Sequence, residues 1–245
     1  MELNCDVGEG EPAEVTAALA RWVQRINVAC GGHAGDDETM VRCVGLARRH
    51  GLKLGAHPGV PGALGRATVH PTAEEMLGCV VPQVERLGRH AAAAGHGMGH
   101  VKLHGGLYHA VEGNLALARA LARWAREQPF RWEWVGLPNG CLRVAALENG
   151  LAFVAEGFLD RAYQPDGTLV PRGTPGAVRC GAEAAVQRVE RWRATGCVEA
   201  IDGTLVPLDV ATWCVHADSP GCIEVVEAVA RRFASGPVAD GKPVA

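Results

Sequence analysis

The sequence lacks most of the signals that announce a function at first sight. None of its nine cysteines pairs with another at CxxC spacing, which removes the common zinc-finger and dithiol-redox readings. No apolar run reaches the length of a membrane span. No GxxxxGK[ST] phosphate loop appears, and the glycine turn Asp6-Val7-Gly8-Glu9-Gly10 falls short of the full dinucleotide pattern. Basic residues are scattered rather than clustered, and the formal net charge is -3. That balance argues against a nucleic-acid or anionic-membrane partner. The first residues run straight into a strand with no signal peptide, and the cysteine count is odd, so a reducing cytoplasm is the expected setting.

Glycine and short apolar runs are plentiful instead. The 32 glycines fall mostly at turns that follow strand-like segments. Such segments open the chain at Leu3 and recur over 26–30, 52–56, 100–103, 132–135, 151–155, 198–201 and 211–215. Helical patterns separate most of them, over 12–24, 36–50, 72–94, 114–127, 139–148 and 181–195, with a last one after Pro220. Thr72-Ala73-Glu74-Glu75 reads as a capping box, and Pro82 is expected to kink or split the helix it opens. Ser219 and Pro220 are expected to cap and begin the final helix. Strands alternating with helices predict a parallel sheet, and about seven such units suit a closed or nearly closed barrel. The expectation is an α/β fold, a single β/α-barrel domain over residues 1–234, with a loose tail over 235–245.

A parallel barrel gathers the carboxyl ends of its strands at one mouth. Asp6, His57 and His104 each close a strand-like run beside glycine. An aspartate and two neutral imidazoles can hold a divalent metal that polarises a carbonyl or activates water; they serve equally as turn caps and backbone partners. His33 and Asp36 on the next glycine-rich turn are candidate substrate ligands, although Asp36 also suits a helix N-cap. Lys102 faces either the barrel interior, where it needs a partner or a function, or the helices, where it snorkels. Asp160-Arg161 reads as an internal ion pair or an anion-binding group, and His216 with Asp218 repeats the strand-end pattern. Cys30 is assigned to core packing.

The motifs carry a resemblance as well. Leu3-Asn4-Cys5-Asp6-Val7-Gly8-Glu9-Gly10, Cys30-Gly31-Gly32-His33-Ala34-Gly35-Asp36, His57-Pro58-Gly59, His100-Val101-Lys102-Leu103-His104-Gly105-Gly106, Asp160-Arg161-Ala162-Tyr163, Leu169-Val170-Pro171-Arg172 and Cys214-Val215-His216-Ala217-Asp218 resemble, in order, those of the LamB/YcsF family. The resemblance implies a distorted seven-stranded β/α barrel related to the glycoside hydrolase and deacetylase barrels. In the deacetylase relatives an Asp and two His hold a metal, and Asp6, His57 and His104 match that set by analogy. The family includes the A-subunit of an ATP-dependent 5-oxoprolinase. The resemblance therefore implies hydrolysis of 5-oxo-L-proline to L-glutamate with partner subunits B and C, ATP being used by the complex. On that reading Asp6, His57, His104 and Lys102 are catalytic. Asn4, His33, Asp36, Asp160, Arg161, His216 and Asp218 bind substrate.

The chain departs from the family pattern at Gly32, Leu103, Gly106, Ala217 and Ser219, and over residues 60–67. Those positions cluster at the expected mouth. Two other readings follow from the same residues: a stand-alone metal-dependent deacetylase or amidohydrolase acting on another lactam or amide, and a non-catalytic subunit that binds a small acid.

Overall fold

The computed structural model describes residues 1–62, 65–179 and 181–233. Strands β1 (Glu2–Val7), β2 (Arg25–Ala29), β3 (Lys53–His57), β4 (Met98–Lys102), β5 (Glu133–Gly136), β6 (Phe153–Phe158) and β9 (Thr212–His216) form a closed barrel. Every pairing in it is parallel, and β9 closes the ring between β6 and β1. Between the strands lie α1 (Ala13–Leu19), α2 (Asp37–His50), α3 (Ala73–Ala93), α4 (Gly105–Glu112), α5 (Leu115–Glu127), α6 (Cys141–Glu148) and α7 (Ala182–Thr195), and α8 (Cys222–Phe233) follows the last. The barrel is seven-stranded, as expected. None of the described helices is long and apolar enough to cross a membrane. The expected tail lies outside the described residues.

Alternation along each strand explains both sides of the barrel wall. Leu3, Cys5 and Val7 of β1 and Ile26 and Val28 of β2 are buried in the apolar layer with Leu19, Val44 and Leu87 of the surrounding helices. The alternate residues Asn4, Asp6, Arg25 and Asn27 are also buried, but in a polar interior. There Asn27 Nδ2 donates to Asn4 Oδ1 at 2.8 Å and to Asp6 Oδ1 at 2.7 Å. His100 is 2.7 Å from Asn27 Oδ1. At the base, Arg25 pairs with Glu2 at 2.5 Å and Glu133 at 2.9 Å. A core of this kind holds together through partnered hydrogen bonds, because each buried polar group left unpaired costs about 1–3 kcal/mol.

Three expectations change. The segment over 198–201 is not a barrel strand; β7 (Cys197–Glu199) pairs antiparallel with β8 (Leu205–Pro207) outside the barrel. Its strand-like pattern reflects one buried residue, Val198, between two half-buried ones. Helix α3 is not split at Pro82 but continues as one helix over Ala73–Ala93. Pro82 is exposed while Val80, Gln83, Val84 and Leu87 are buried, so the lost hydrogen bond falls on the solvent side. Finally, α4 begins directly at Gly105 with His104 as its N-cap residue. The strand end and the helix start share one side chain, which strand periodicity alone does not show.

Candidate functional site

A cavity of about 620 Å³ opens at the carboxyl end of the barrel, lined by Asp6, His57, Lys102, His104, Phe158 and His216 among others. The three strand ends expected to meet do so. His57 Nε2 lies 3.3 Å from Asp6 Oδ2 and 3.0 Å from His104 Nδ1. His57 Nδ1 is 2.9 Å from the Lys102 carbonyl oxygen, so that nitrogen donates and Nε2 faces the cavity. Burial works against a charged His57, but the Asp6 and Glu9 carboxylates outweigh it and lift His57 to about 9.

Lys102 points into the barrel, the orientation the strand pattern left open. Its ammonium is 2.8 Å from Asp6 Oδ1, 2.8 Å from Glu156 Oε1 and 3.1 Å from Cys214 Sγ. One lysine thus bridges two buried carboxylates. Burial opposes its charge, and Asp6 with Cys214 and Glu156 overcomes that and holds it protonated. Asp6, for its part, is kept ionised against burial by His57 and Lys102. Glu156 is pushed upward, chiefly by burial.

Of the two readings of Asp160-Arg161, an internal ion pair or an anion-binding group, the pair does not form. Asp160 accepts from the His216 backbone N–H at 3.0 Å and from the Ser219 hydroxyl at 2.5 Å, and lies 2.9 Å from His216 Nδ1. That contact fixes a proton on Nδ1 and turns Nε2 toward Asp6, 3.6 Å away. Ser219 therefore holds Asp160 rather than capping α8, which starts at Cys222. Arg161 lines the cavity instead. Its Nη2 donates to the Val170 carbonyl at 2.7 Å, while its buried Nε has no partner among the described residues. Burial and neighbouring Arg172 lower it to about 10. Arg66 and Arg172 line the same cavity. Asp218 holds both, at 2.5 Å and 3.7 Å.

Other expected ligands fall elsewhere. Asn4 sits a layer deeper, donating to Thr212 at 3.0 Å, and is not among the residues lining the cavity. Asp36 is exposed and caps α2, accepting from Thr39 N–H at 2.8 Å. Asp36→Ala is accordingly expected to lower the urea unfolding midpoint, through loss of the cap, and to leave substrate affinity unchanged. His33 stacks on His104 with ring centroids 3.6 Å apart and contacts Glu9 at 3.0 Å.

Sequence reasoning passed over Glu9, Glu156, Arg66 and Arg172. Glu9 stands three residues beyond Asp6 on the same glycine turn, and that proximity was the available signal. Its Oε1 is 2.9 Å from His104 Nδ1, 3.0 Å from His33 Nε2 and 3.4 Å from His57 Nε2. Burial opposes its charge, but His104, His33 and His57 hold Glu9 firmly ionised. Among the described residues, two groups have donor atoms close enough to share an ion: Glu9 with His33, His57 and His104, and Asp6 with Cys214 and His216. The expected metal set of Asp6, His57 and His104 is thus divided between them.

A family comparison matches residues 1–240 to the LamB/YcsF family. The chain belongs to that family. It is 39% identical over 238 residues to the 5-oxoprolinase A-subunit of Carboxydothermus hydrogenoformans, covering 95% of this chain and 93% of that one. The corresponding protein of Pyrococcus abyssi is 40% identical over 230 residues, covering 92% and 90%. Among solved structures, the lactam utilization protein of Thermus thermophilus superposes with a TM-score of 0.83 at 34% identity, covering 94% of each chain. Within this LamB/YcsF chain two of the departures at the mouth, Gly32 and Gly106, stand where a larger side chain would clash. A Cβ on Gly32 would strike the Gly59 carbonyl and the Gln83 amide, and one on Gly106 would strike the Ala67 carbonyl. Glycine at these two sites lets Gly59 lie against Gly32 and Ala67 lie against α4.

Proposed function

We propose that this chain is the lactam-processing subunit of an ATP-dependent 5-oxoprolinase, hydrolysing 5-oxo-L-proline to L-glutamate together with partner subunits B and C. The relatives named as the A-subunit of 5-oxoprolinase support it, because their likeness runs over nearly the full length of both chains. The observation in the site that carries it is Arg161: a buried guanidinium that lines a cavity together with Arg66 and Arg172, its Nε without a partner among the described residues. That is a receptor for a small anion, and 5-oxoproline carries one carboxylate.

The chemistry divides between subunits. A lactam is a poor electrophile; transfer of a phosphoryl group to its oxygen opens the ring carbon to attack by water. ADP leaves in that transfer; the tetrahedral adduct then breaks its C–N bond, with a proton delivered to nitrogen, and leaves a glutamyl γ-phosphate that a second water hydrolyses to glutamate and phosphate. This chain has no GxxxxGK[ST] loop, so ATP is handled partly or wholly by the partners. His216, oriented by Asp160, takes the proton from the attacking water through Nε2. Lys102 and Arg161 balance negative charge developing on the substrate, and Asp6 sets the position of Lys102 and His57.

A second reading, a metal-dependent amidohydrolase acting alone, is favoured by the carboxylate and imidazole groups gathered around His57. A divalent ion held there would act as a Lewis acid on an amide carbonyl. The two readings separate on ATP. In the reconstituted complex, 5-oxoproline is expected to stimulate ATP hydrolysis. Arg161→Ala should raise the KM for 5-oxoproline on the order of 10–100-fold, the worth of about 1.5–3 kcal/mol for a charge-assisted hydrogen bond. An unchanged KM would remove Arg161 from carboxylate recognition. Chelator-sensitive cleavage by the chain alone, without ATP, would favour the amidohydrolase.

A further inference from the structure

Glu9 Oε1, His57 Nε2 and His104 Nδ1 form a triangle with edges of 2.9, 3.0 and 3.4 Å. Hydrogen bonding cannot account for all three edges. A ring nitrogen either carries a proton and donates or lacks one and accepts. If both nitrogens donate to Glu9, the 3.0 Å contact between them sets two N–H groups against each other. If His57 donates to His104, the 2.9 Å contact between His104 and Glu9 sets two lone pairs face to face. If His104 donates, its one N–H serves both Glu9 and His57 and the 3.4 Å edge between those two is left as facing lone pairs; in every arrangement one edge stays unsatisfied, whereas a cation accepts a lone pair from every corner. Zinc bonds of about 2.0–2.2 Å in tetrahedral geometry put neighbouring donor atoms about 3.3–3.6 Å apart, close to the edges observed.

The ring planes decide which imidazoles take part. A metal lies near the plane of the ring that binds it. His57 and His104 are inclined at 87°, so their planes intersect and one ion can lie in both. His33 and His104 are parallel within 2° with centroids 3.6 Å apart, so one ion cannot lie in both of those planes. His33 is the orienting residue: its Nε2 lies 3.0 Å from Glu9 Oε1 and its ring packs flat on His104. The Lys102 carbonyl performs the matching task for His57, accepting from Nδ1 and leaving Nε2 turned to Glu9 and His104; a bound ion takes the place of the proton on Nε2. Asp6 is engaged by the Lys102 ammonium at 2.8 and 3.1 Å and by Asn27 at 2.7 Å.

We infer that Glu9, His57 and His104 form a three-ligand site for a divalent transition-metal ion of the zinc class, with its remaining position open toward the cavity. Asp6 and His33 stand beside the site and are not ligands. The inference stands on donor geometry. Its test involves neither 5-oxoproline nor the partner subunits, so its failure leaves the proposed reaction standing, and the reverse also holds.

The full chain, stripped with chelator and dialysed against Zn²⁺, is expected to retain one ion per chain by elemental analysis. X-ray absorption of the zinc-loaded wild type should report two imidazoles and oxygen in the first shell. Glu9→Gln should weaken Zn²⁺ at least tenfold, while Asp6→Asn should bind it as the wild type does. A folded wild type that retains no Zn²⁺ overturns the site, and so does a shell with three imidazoles. Equal loss in Asp6→Asn and Glu9→Gln, both folded by circular dichroism, would return the metal to Asp6. Should Asp6→Asn not fold, Glu9→Gln decides: folded Glu9→Gln that binds Zn²⁺ as tightly as the wild type overturns Glu9 as a ligand.

Discussion

Lys102→Met should destabilise the barrel by about 3–5 kcal/mol, a large part of the roughly 5–15 kcal/mol that holds a domain folded. The ammonium is the shared counter-charge of Asp6 and Glu156, both essentially inaccessible to solvent. Without it two carboxylates face each other in a site with little water. Burial already pushes Glu156 upward, and Asp6 loses one of the charges that hold it down. Carboxyl groups whose folded pKa rises above the unfolded value favour folding at low pH and oppose it once the unfolded groups ionise, above about pH 4. The melting temperature of Lys102→Met should therefore fall furthest below wild type at pH 8, with the gap narrowing toward pH 5. A gap that does not change with pH would mean that packing of the lysine stem, not its charge, carries the effect.

His216→Ala should lower kcat of the reconstituted complex by between about 10² and 10⁴, the usual worth of a positioned general base. Melting should fall as well, because the variant leaves buried Asp160 without its imidazole partner, so kcat is compared on the folded protein. Asp160→Asn removes the acceptor that keeps a proton on Nδ1, so Nε2 no longer faces the cavity as a base. It should cost a comparable factor, and the double variant should be little worse than either single one, since the two residues act as a unit. Two losses that simply multiply would assign Asp160 and His216 to separate steps.

The fold was legible because the strand and helix periods alternate almost without interruption, and the surplus strand over 198–201 differed from the others only in its partner. The meeting of Asp6, His57 and His104 was legible for the same reason: in a parallel barrel every strand end faces one mouth. Polar interior residues were harder to read. Lys102, Glu156 and His100 alternate with apolar neighbours as solvent-facing residues would, and only closure of the barrel turns them inward. Arg161 and Asp160 illustrate the limit from the other side. Adjacent in sequence and opposite in charge, they invite pairing, yet the backbone sends one to His216 and the other to the cavity. Glu9 was hidden because a glycine turn can aim its side chain almost anywhere.

Glutamate formation from 5-oxoproline, measured with the purified chain alone and with subunits B and C, each with and without ATP, tests the central claim most directly. The account predicts glutamate only from the complete mixture supplied with ATP, and its loss when His216→Ala replaces the wild type. No glutamate from that mixture, with the same B and C preparations active beside the Carboxydothermus hydrogenoformans A-subunit, would contradict it.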